Sequence, residues 1–396
     1  MVARNPLAAL RSSPGGAHLL QALAAVETPG YLVGGAVRDL LLGRVPRELD
    51  VVVEGDVGAL AEALGGEVTA HDRFGTATVA VEGHGTYDLA RARRETYAAP
   101  GALPDVEPAT LREDLARRDV TVNAIALSAA GELVAVDGAL EDLEAGVLRV
   151  LHDRSFVDDP TRLWRVARYA ARLRFAVEPH TAALARAAVA GGALATVSGP
   201  RVGNEVRLAL RERDAHGALA AAHALGLLPA GLDHPGPRAA VAEALLPPGG
   251  RPDLLTLATW ATAMEPAALR GWLDDLAFPG EDRVVVLAAA SAPARLIDFP
   301  ERPSALAAAL RGEPVEAVAL GAAAAGEPAA ARRWLDELRT ISLDIDGEDL
   351  LAAGLTAGPE VGVRLRRALD ARLDGAAPDR AAQLACALAD APDLGS

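Results

Sequence analysis

The chain has 396 residues, enough for two or three domains, and its net charge of −15 argues against a general nucleic-acid binder that relies on overall positive charge. Its 39 basic residues are all arginines, and five of them fall between Arg162 and Arg174 without an acidic residue among them, so a local basic track remains open. The single cysteine, Cys386, excludes an intrachain disulfide and a multi-cysteine zinc site, and without a long apolar run or a signal-peptide pattern we predict a cytoplasmic protein.

The first part of the chain alternates short apolar strands with short helices. In chain order we predict helices within residues 1–26, a strand over 31–35, a helix over 36–42, a strand over 49–53, a helix over 57–64 and a hairpin of 76–81 with 86–89. This alternation is typical of a mixed α/β domain, which we expect to end near residue 150. From Thr161 onward amphipathic helical patterns dominate, so we predict an α+β chain whose remainder is an elongated all-α region.

The stretch GGAVRDLLLGRVPRELDVVVEG, residues 34–55, carries the strongest chemical signal. Glu48 and Asp50 are two residues apart at the start of a predicted strand, so both carboxylates point to the same face. Two carboxylates on one face repel each other unless a cation lies between them, and hard oxygen ligands suit Mg²⁺. Gly34 and Gly35 would let backbone N–H groups approach a triphosphate, and Arg38 would neutralise phosphate charge.

This stretch has two other interpretations. A solvated strand edge that follows an ordinary glycine turn is the simpler one. A dinucleotide-binding fold is the other, because a strand, glycines, a helix and a second strand occur in that order. Its fingerprint requires the spacing G-x-G-x-x-G, which the run from Gly34 to Arg38 lacks.

The same stretch resembles the first motif of the class II tRNA nucleotidyltransferase and bacterial poly(A) polymerase family, within the DNA polymerase β superfamily. The matching residues are Gly34, Gly35, Val37, Arg38, Asp39, Leu41, Leu42, Gly43, Glu48 and Asp50. The resemblance implies a catalytic carboxylate pair, Glu48 and Asp50, that binds Mg²⁺. Asp88 is a candidate third acid, with a structural hydrogen-bonding role as the alternative. The family usually has Asp at the first metal position, and Glu48 places its carboxylate one methylene further out.

The segment DLARRDVTVNAIAL, residues 114–127, resembles the family segment that contacts the ribose and the triphosphate. By that resemblance four residues are expected to bind nucleotide: Arg117, Arg118, Asp119 and Asn123. A solvated Arg-Arg-Asp helix end is the alternative interpretation. Just upstream, residues 94–97 and 100–108 resemble the family's flexible loop, which rearranges between nucleotides.

The segment DDPTRLWRVARYAARLRF, residues 158–175, has both a local and a family interpretation. Asp159 and Pro160 suit a helix start, and the spacing from Asp159 to Arg162 suits an ion pair on a helix surface. The segment also resembles the family motif in which D-x-x-R acts as a protein template for the incoming base. There the carboxylate accepts a hydrogen bond from the exocyclic amine of C or A, and the guanidinium donates to the neighbouring ring acceptor. Three further arginines of this helix are expected to face phosphates of the nucleotide or of the tRNA end: Arg165, Arg168 and Arg172.

Two weaker resemblances extend towards the C-terminus. Residues 198–210 resemble the fifth motif of the family, with Arg201 and Glu205 at the matching positions, where we expect a helix-stabilising role. Residues 343–375 resemble the tail that grips the tRNA elbow. Its candidate RNA-binding residues are Arg364, Arg366 and Arg367, which would contact backbone phosphates. The equally weighted alternative is that they are solvated arginines on the surface of a helix.

Three motifs in the family's order, together with the tail, imply a template-independent enzyme that adds C and/or A to the 3′ end of tRNA from CTP and ATP with Mg²⁺. We expect neither membrane nor protein partner. The expected domains are a nucleotidyltransferase head over 1–150, a helical neck with the nucleotide-selecting motif over 151–215, a helical body over 216–335 and a tRNA-binding tail over 336–396. A poly(A) polymerase of the same family, an A-adding or CC-adding enzyme, and an RNA-binding module without catalysis remain as alternatives.

Overall fold

A computed structural model describes residues 5–71, 75–236 and 238–389. The chain divides into two compact units, Met1–Leu228 and Pro229–Ser396. The first unit begins with a mixed α/β region and continues into helices, and the described residues of the second unit form helices and loops. The predicted class, a mixed α/β head followed by a helical region, is therefore confirmed. Across the ranges described, no helix has the length and apolar character needed to cross a membrane.

A mixed sheet forms the centre of the first unit. The strands are β1 Gly30–Val33, β2 Leu49–Val53, β3 Glu67–His71, β4 Thr76–Val81, β5 Gly85–Arg91, β6 Arg93–Thr96, β7 Asp105–Pro108, β8 Ile125–Ser128, β9 Leu133–Ala135, β10 Val147–Leu148 and β11 Ala176–Val177. Seven of them form one sheet in the order β3-β4-β5-β2-β1-β8-β9. Strand β2 lies at its middle, parallel to β5 and antiparallel to β1. Its consecutive valines, 51–53, are all buried, as expected for a β-branched strand that is covered on both faces.

Helices surround this sheet and continue beyond it. Those of the first unit are α1 Pro6–Arg11, α2 Gly16–Ala25, α3 Gly35–Leu41, α4 Gly58–Leu64, α5 Leu111–Ala116, α6 Ala139–Ala145, α7 Ser155–Asp158, α8 Thr161–Leu173, α9 Pro179–Ala190, α10 Gly199–Leu210 and α11 Ala215–Ala224. Helix α8 buries Leu163, Trp164 and Val166 and packs against α10 and α11. Because its arginines recur every three or four residues, they share one face of the helix.

The described residues of the second unit form helices, most of which pack against more than one other helix. They are α12 Ala239–Leu245, α13 Pro252–Trp260, α14 Pro266–Asp275, α15 Gly280–Arg295, α16 Pro303–Ala309, α17 Val315–Ala324, α18 Ala329–Asp336, α19 Gly347–Ala352, α20 Pro359–Leu373 and α21 Arg380–Leu388. Near its C-terminus, Ile345, Leu350, Ala368 and Ala387 form a small buried cluster that joins the last three helices. The apolar positions of this region therefore form a hydrophobic core of their own.

The helices and strands predicted within residues 1–89 are present in the structure, with ends shifted by up to two residues, and several further elements were not predicted, among them β8 and β9. Strand β3 was not predicted, because its residues EVTAH mix polar and apolar side chains without a strong strand signal. The segment that resembles a flexible loop contains a ribbon, residues 93–108, in which β6 and β7 pair antiparallel and Arg94 forms an ion pair with Glu107. The sequence predicts Asp159 as the N-cap of α8 and Pro160 as its first residue. In the structure the helix begins at Thr161, and Pro160 is the N-cap.

Candidate active site

One cavity of about 620 Å³ in the first unit is lined by Glu48, Asp50 and every residue predicted to bind nucleotide, together with Arg172. Its lining consists of Gly34, Gly35, Arg38, Glu48, Asp50, Glu95, Arg117, Arg118, Asp119, Asn123, Asp159, Arg162, Arg165, Arg168, Tyr169, Arg172 and Leu208. Residues 34–50, 117–123 and 159–172, which are far apart in the chain, thus meet near the N-terminal end of strand β2. Seven arginines and five carboxylates line this space, so its character is that of a site for a highly charged anion.

The carboxylate pair lies on one side of the cavity. Asp50 is on β2 and Glu48 comes two residues before it, and both side chains line the space. Burial, followed by the negative charges of Glu48 and Asp88, raises the pKa of Asp50 to about 6, with the positive charge of Arg118 opposing the shift. This electrostatic strain between neighbouring acids is what a bound divalent cation relieves, so the donor set fits such an ion.

Asp88 is the neighbour of Asp50 on the adjacent parallel strand β5, where the two residues are paired in register. Its Oδ1 atom accepts a hydrogen bond from the Thr78 hydroxyl at 2.7 Å. Over the ranges that the structure covers, no group of three or more His, Cys, Asp or Glu side chains converges in the way that a metal site requires. Two carboxylates are nevertheless sufficient for Mg²⁺ when substrate phosphates complete its coordination. A metal-binding role for Asp88 stays a prediction.

The glycine pair after β1 permits a close approach of an arginine to the backbone. Gly34 has φ +69°, and a Cβ atom added there would lie 2.7 Å from Nη1 of Arg118. The Gly34 N–H donates to the carbonyl of Ile125 at 3.0 Å, within the sheet, so it is not available to a phosphate as the sequence had suggested. The absence of a Cβ atom at Gly34 therefore leaves space for the Arg118 guanidinium. Nη2 of Arg118 donates a hydrogen bond to the Asp114 carboxylate at 3.0 Å.

A buried hydrogen-bond network connects α3 to α8 through Asp119. Arg38 donates from Nη1 to Oδ1 of Asn123 at 2.6 Å, and Asn123 donates from Nδ2 to Oδ1 of Asp119 at 3.0 Å. The other Asp119 oxygen accepts from Nε of Arg165 at 2.8 Å and from the Tyr169 hydroxyl at 3.0 Å. With the backbone N–H of Val120 also bound to Oδ1, both oxygens of Asp119 are engaged. In this arrangement Asp119 positions the groups around it.

The network shifts the pKa of Asp119 and the pKa of Tyr169 in opposite directions. Burial would raise the pKa of the Asp119 carboxyl, but the Arg165 charge and the hydrogen bond from Asn123 hold that pKa well below its ordinary value of 3.8. Burial, followed by the negative charge of Asp119, raises the pKa of Tyr169 to about 12. The carboxylate is therefore ionised and the phenol is protonated near neutral pH, which is the state that the hydrogen bonds require.

This network gives a prediction about stability and pH. Asp119→Asn removes the charge that Arg165 pairs with, and we expect the free energy of unfolding at pH 7 to fall by roughly 2–4 kcal/mol, less than for a fully buried pair because Arg165 is partly exposed. The lowered pKa means that the wild-type carboxylate stabilises the fold above pH 4 or so and loses this contribution as pH falls towards its folded pKa. Urea denaturation of both proteins at several pH values should show their difference shrinking below about pH 4. A difference that stays constant with pH would contradict the assignment.

Asp159 and Arg162 also line the cavity. Oδ1 of Asp159 accepts hydrogen bonds from the backbone N–H and the hydroxyl of Thr161 at 3.2 and 2.7 Å. Oδ2 lies 4.0 Å from Nε of Arg162. Arg162 donates from Nη1 to the Ser155 hydroxyl at 2.9 Å and from Nη2 to the Arg117 carbonyl at 2.7 Å. A guanidinium has five N–H donors, so this buried arginine is held firmly while it keeps donors for a ligand.

The remaining arginines of α8 are paired with glutamates. Arg168 contacts Glu205 at 2.8 Å and Glu212 at 3.2 Å, and Arg172 contacts Glu212 at 2.6 Å. On the other side, Arg117 donates to Glu95 at 2.7 Å and to Asp114 at 2.8 Å. All three arginines line the cavity, but each is already neutralised in part by an acid that fixes its direction.

The candidate RNA-binding arginines of the tail lie in the second unit, where two of them have local partners. Arg364 donates to the carbonyls of Ala387 and Leu388 at 3.2 and 3.1 Å, and Arg367 donates to the carbonyl of Cys386 at 3.0 Å. These carbonyls close the C-terminal end of α21, where cations are favoured by the helix dipole. The Arg366 side chain is exposed. A role for these residues in RNA binding stays a prediction.

Two residues that line the cavity, Tyr169 and Glu95, and one that holds its arginines, Glu212, were not identified from the sequence. Tyr169 follows Arg165 by four residues, so helical periodicity places it on the same face and could have indicated it. Glu95 lies within a segment whose strand pairing was not predicted. Glu212 is 44 residues from Arg168 and 40 from Arg172, and no spacing in the chain indicates these contacts.

The chain is similar to several known proteins. Residues 30–149 match the model of the poly A polymerase head domain. A CC-adding tRNA nucleotidyltransferase of Deinococcus radiodurans is 38% identical over 368 residues, which cover 88% of this chain and 86% of that protein. An A-adding tRNA nucleotidyltransferase of Geobacter sulfurreducens is 43% identical over 211 residues, 51% of this chain but only 24% of the relative. The chain thus spans about a quarter of that longer protein.

A solved structure extends the likeness to nearly the whole chain. A Thermotoga maritima CCA-adding enzyme complexed with tRNA superposes with a TM-score of 0.70 at 26% identity, covering 98% of this chain and 99% of that one. The match to the Deinococcus relative is long enough, and close enough, to establish kinship across both units of the fold. The chain belongs to the class II tRNA nucleotidyltransferase family, which includes the CCA-adding enzymes.

Proposed function

We propose that this protein adds C and/or A nucleotides to the 3′ end of tRNA, using CTP and ATP and releasing pyrophosphate. The observation that supports this most directly is that one cavity contains both pairs of side chains. These are the carboxylates of Glu48 and Asp50, and the Asp159 carboxylate with the Arg162 guanidinium, which can form hydrogen bonds with a base. The relatives named above act on tRNA or are bound to it, and one of them matches nearly the full length of this chain.

Nucleotidyltransferases of this family generally use divalent metals. We propose Mg²⁺ as the ion and Glu48 and Asp50 as its protein ligands, because their oxygens are hard donors and their mutual repulsion calls for a cation. When bound, the metal supplies charge neutralisation for the phosphates and lowers the pKa of the attacking 3′-hydroxyl. The raised pKa of Asp50 describes the protein without the metal ion. The ionised carboxylate is the form of Asp50 that binds the metal.

Two arginines of the cavity position the triphosphate. Arg38 and Arg118 lie beside the glycine turn after β1, close to the carboxylates, and their charges favour the phosphate groups there. Arg38 is 2% exposed and is fixed by Asp39 and Asn123, so it loses little conformational freedom when a phosphate binds. Positioning and charge neutralisation of this kind are the principal contributions that a protein makes to nucleotidyl transfer.

Base choice is assigned to Asp159 and Arg162. Cytosine and adenine both present an exocyclic amine beside a ring acceptor, and uracil and guanine present a carbonyl where that amine would be. Oδ2 of Asp159 accepts from the amine, and a remaining N–H of Arg162 donates to the ring nitrogen. A wrong base would put its carbonyl against the carboxylate and leave a buried acceptor unpaired, which is costly.

Transfer proceeds by attack of the terminal tRNA hydroxyl on the α-phosphorus, in line with the departing pyrophosphate. The protein orients the nucleotide from both ends, by its base at α8 and by its phosphates at α3. No covalent intermediate with a side chain is needed. Cys386 lies in the second unit on α21 and packs there as a half-buried residue.

The extent of addition distinguishes the members of this family. Relatives include both A-adding and CC-adding enzymes, and a poly(A) polymerase of the same family is the remaining alternative. The test uses tRNAs that end before C74, at C74 or at C75, and oligo(A), each supplied with one nucleotide at a time. A CCA-adding enzyme extends all three tRNAs, a CC-adding one stops after two cytidines, and an A-adding one extends only the last. Failure to extend any primer with Mg²⁺ present would refute the proposal.

A further inference from the structure

The two carboxylate oxygens of Asp159 differ in their hydrogen bonds. Oδ1 accepts two hydrogen bonds from Thr161 and a third from Nη2 of Arg201 at 3.3 Å. Within the described ranges Oδ2 accepts no hydrogen bond and lies 4.0 Å from Nε of Arg162. One oxygen of this carboxylate is therefore committed to the protein. The other is the acceptor that remains for a base.

Arg201 connects Asp159 to the ribbon. It lies on α10, and it donates from Nη1 to the carbonyl of Gly101 at 3.0 Å while its Nη2 reaches Asp159. Gly101 belongs to the loop that joins β6 to β7. The planar guanidinium, with its donors in a fixed fork, thus spans from the ribbon tip to the base-reading carboxylate.

The ribbon tip is seated in a place that only glycine fits. Gly101 has φ +70°, and an added Cβ atom would lie 2.2 Å from the Thr196 hydroxyl and 2.8 Å from the Thr196 carbonyl oxygen. Its N–H donates to the carbonyl of Val157 at 3.2 Å. The tip is therefore fixed on both sides, which gives Arg201 a rigid point of attachment.

A second connection runs from the base of the same ribbon to the other member of the base-reading pair. Glu95 on β6 accepts from Arg117 at 2.7 Å and from the Tyr97 hydroxyl at 3.0 Å. The backbone carbonyl of Arg117 in turn accepts the hydrogen bond from Arg162 at 2.7 Å. The ribbon is consequently joined to Asp159 through Arg201 and to Arg162 through Arg117.

We propose that Arg201 is a specificity-positioning residue, which holds Oδ1 of Asp159 against the ribbon tip so that Oδ2 is kept in place for the incoming base. The inference rests on the proposed function, because it refines how that site selects a nucleotide. Arg201 does not line the cavity, so it acts through Asp159 and the ribbon tip. Without it Oδ1 keeps only its two hydrogen bonds from Thr161, and Oδ2 is held less firmly in its direction relative to Arg162.

The test compares base selectivity in Arg201→Ala with that of wild type. Steady-state kcat/KM is measured for CTP, UTP, ATP and GTP on the tRNA primer that the wild-type enzyme extends. We expect the preference for the correct base over the wrong one to fall about 10-fold, the value of one hydrogen bond to a charged group. Arg186→Ala, an exposed arginine of α9, is the matched control and should keep the wild-type ratio.

Two further variants separate a positioning role from a merely structural one. Gly101→Ala displaces the ribbon tip without changing Arg201 or Asp159, and we expect the same loss of selectivity. In an Asp159→Asn background, adding Arg201→Ala should leave the remaining selectivity unchanged, because residues that act through one another are not additive. Loss of stability alone would lower kcat/KM for all four nucleotides by the same factor.

The outcomes can be told apart. A wild-type protein that adds no nucleotide overturns the proposed function itself. A selective wild type whose Arg201→Ala variant keeps the full selectivity ratio overturns only the role of Arg201. Equal losses from Arg201→Ala with and without Asp159→Asn would also overturn it, since Arg201 would then act independently of that carboxylate.

Discussion

Asp50→Ala is expected to abolish nucleotide incorporation, with a loss of at least about 10³-fold in kcat, because the substitution removes a ligand of the cation that neutralises the developing charge. Asp50 lies on the central strand β2, between neighbours that hold the backbone in place, so the strand should persist. Primer extension under single-turnover conditions measures the chemical step. Filter binding of tRNA and of nucleotide should remain measurable, since the arginines of the cavity are intact.

The control for Asp50 is a carboxylate of the same domain that lies outside the cavity. Asp56, exposed at the start of the turn before α4, provides it, and Asp56→Asn should extend primers at the wild-type rate. The isosteric Asp50→Asn variant should be as inactive as Asp50→Ala, because the amide keeps the shape and loses the charge. Near-normal turnover in either Asp50 variant would show that the metal assignment is wrong.

Arg162→Ala is expected to relax base choice towards U and G. The substitution removes the donor to the ring acceptor and leaves Asp159 as the only reader, so the preference for the correct base should fall by about 10- to 100-fold. A competition assay with all four nucleotides, followed by sequencing of the extended tRNA ends, measures the ratio directly. The overall rate should fall less than it does for Asp50→Ala, because the carboxylate pair is unchanged.

Arg162 is 5% exposed and also holds the Arg117 carbonyl, so its removal affects the fold as well as the base. Arg154→Ala serves as the control, because that arginine is exposed and pairs only with its helical neighbour Asp158 among the contacts described. Thermal unfolding of both variants shows how much of the change in activity comes from stability. Unchanged selectivity in Arg162→Ala would remove the template role from this residue.

The local chemistry of the site follows from short spacings in the chain. Asp50 lies on β2 and Glu48 in the bend just before it, and both line the cavity, as their two-residue spacing predicts. The arginines of α8 share a face because a helix repeats every three to four residues. These periodicities hold wherever the element packs, so they could be predicted, as could strand 49–53 and the order of motifs that carries the family resemblance. The turn glycines were also predictable, since a backbone at positive φ favours a residue without Cβ.

Other properties were decided only when distant segments packed together. The pairing of Arg168 and Arg172 with Glu212, the engagement of both Asp119 oxygens, and the attachment of Arg201 to the ribbon tip each join residues of different elements. Tertiary packing likewise committed the Gly34 N–H to the sheet and placed Arg364 and Arg367 on the end of the last helix. The amino-acid sequence by itself determined which side chains share a face of a strand or helix. Only the folded chain determined which of them are already satisfied by a partner, because a buried polar group takes whichever complementary group the packing brings to it.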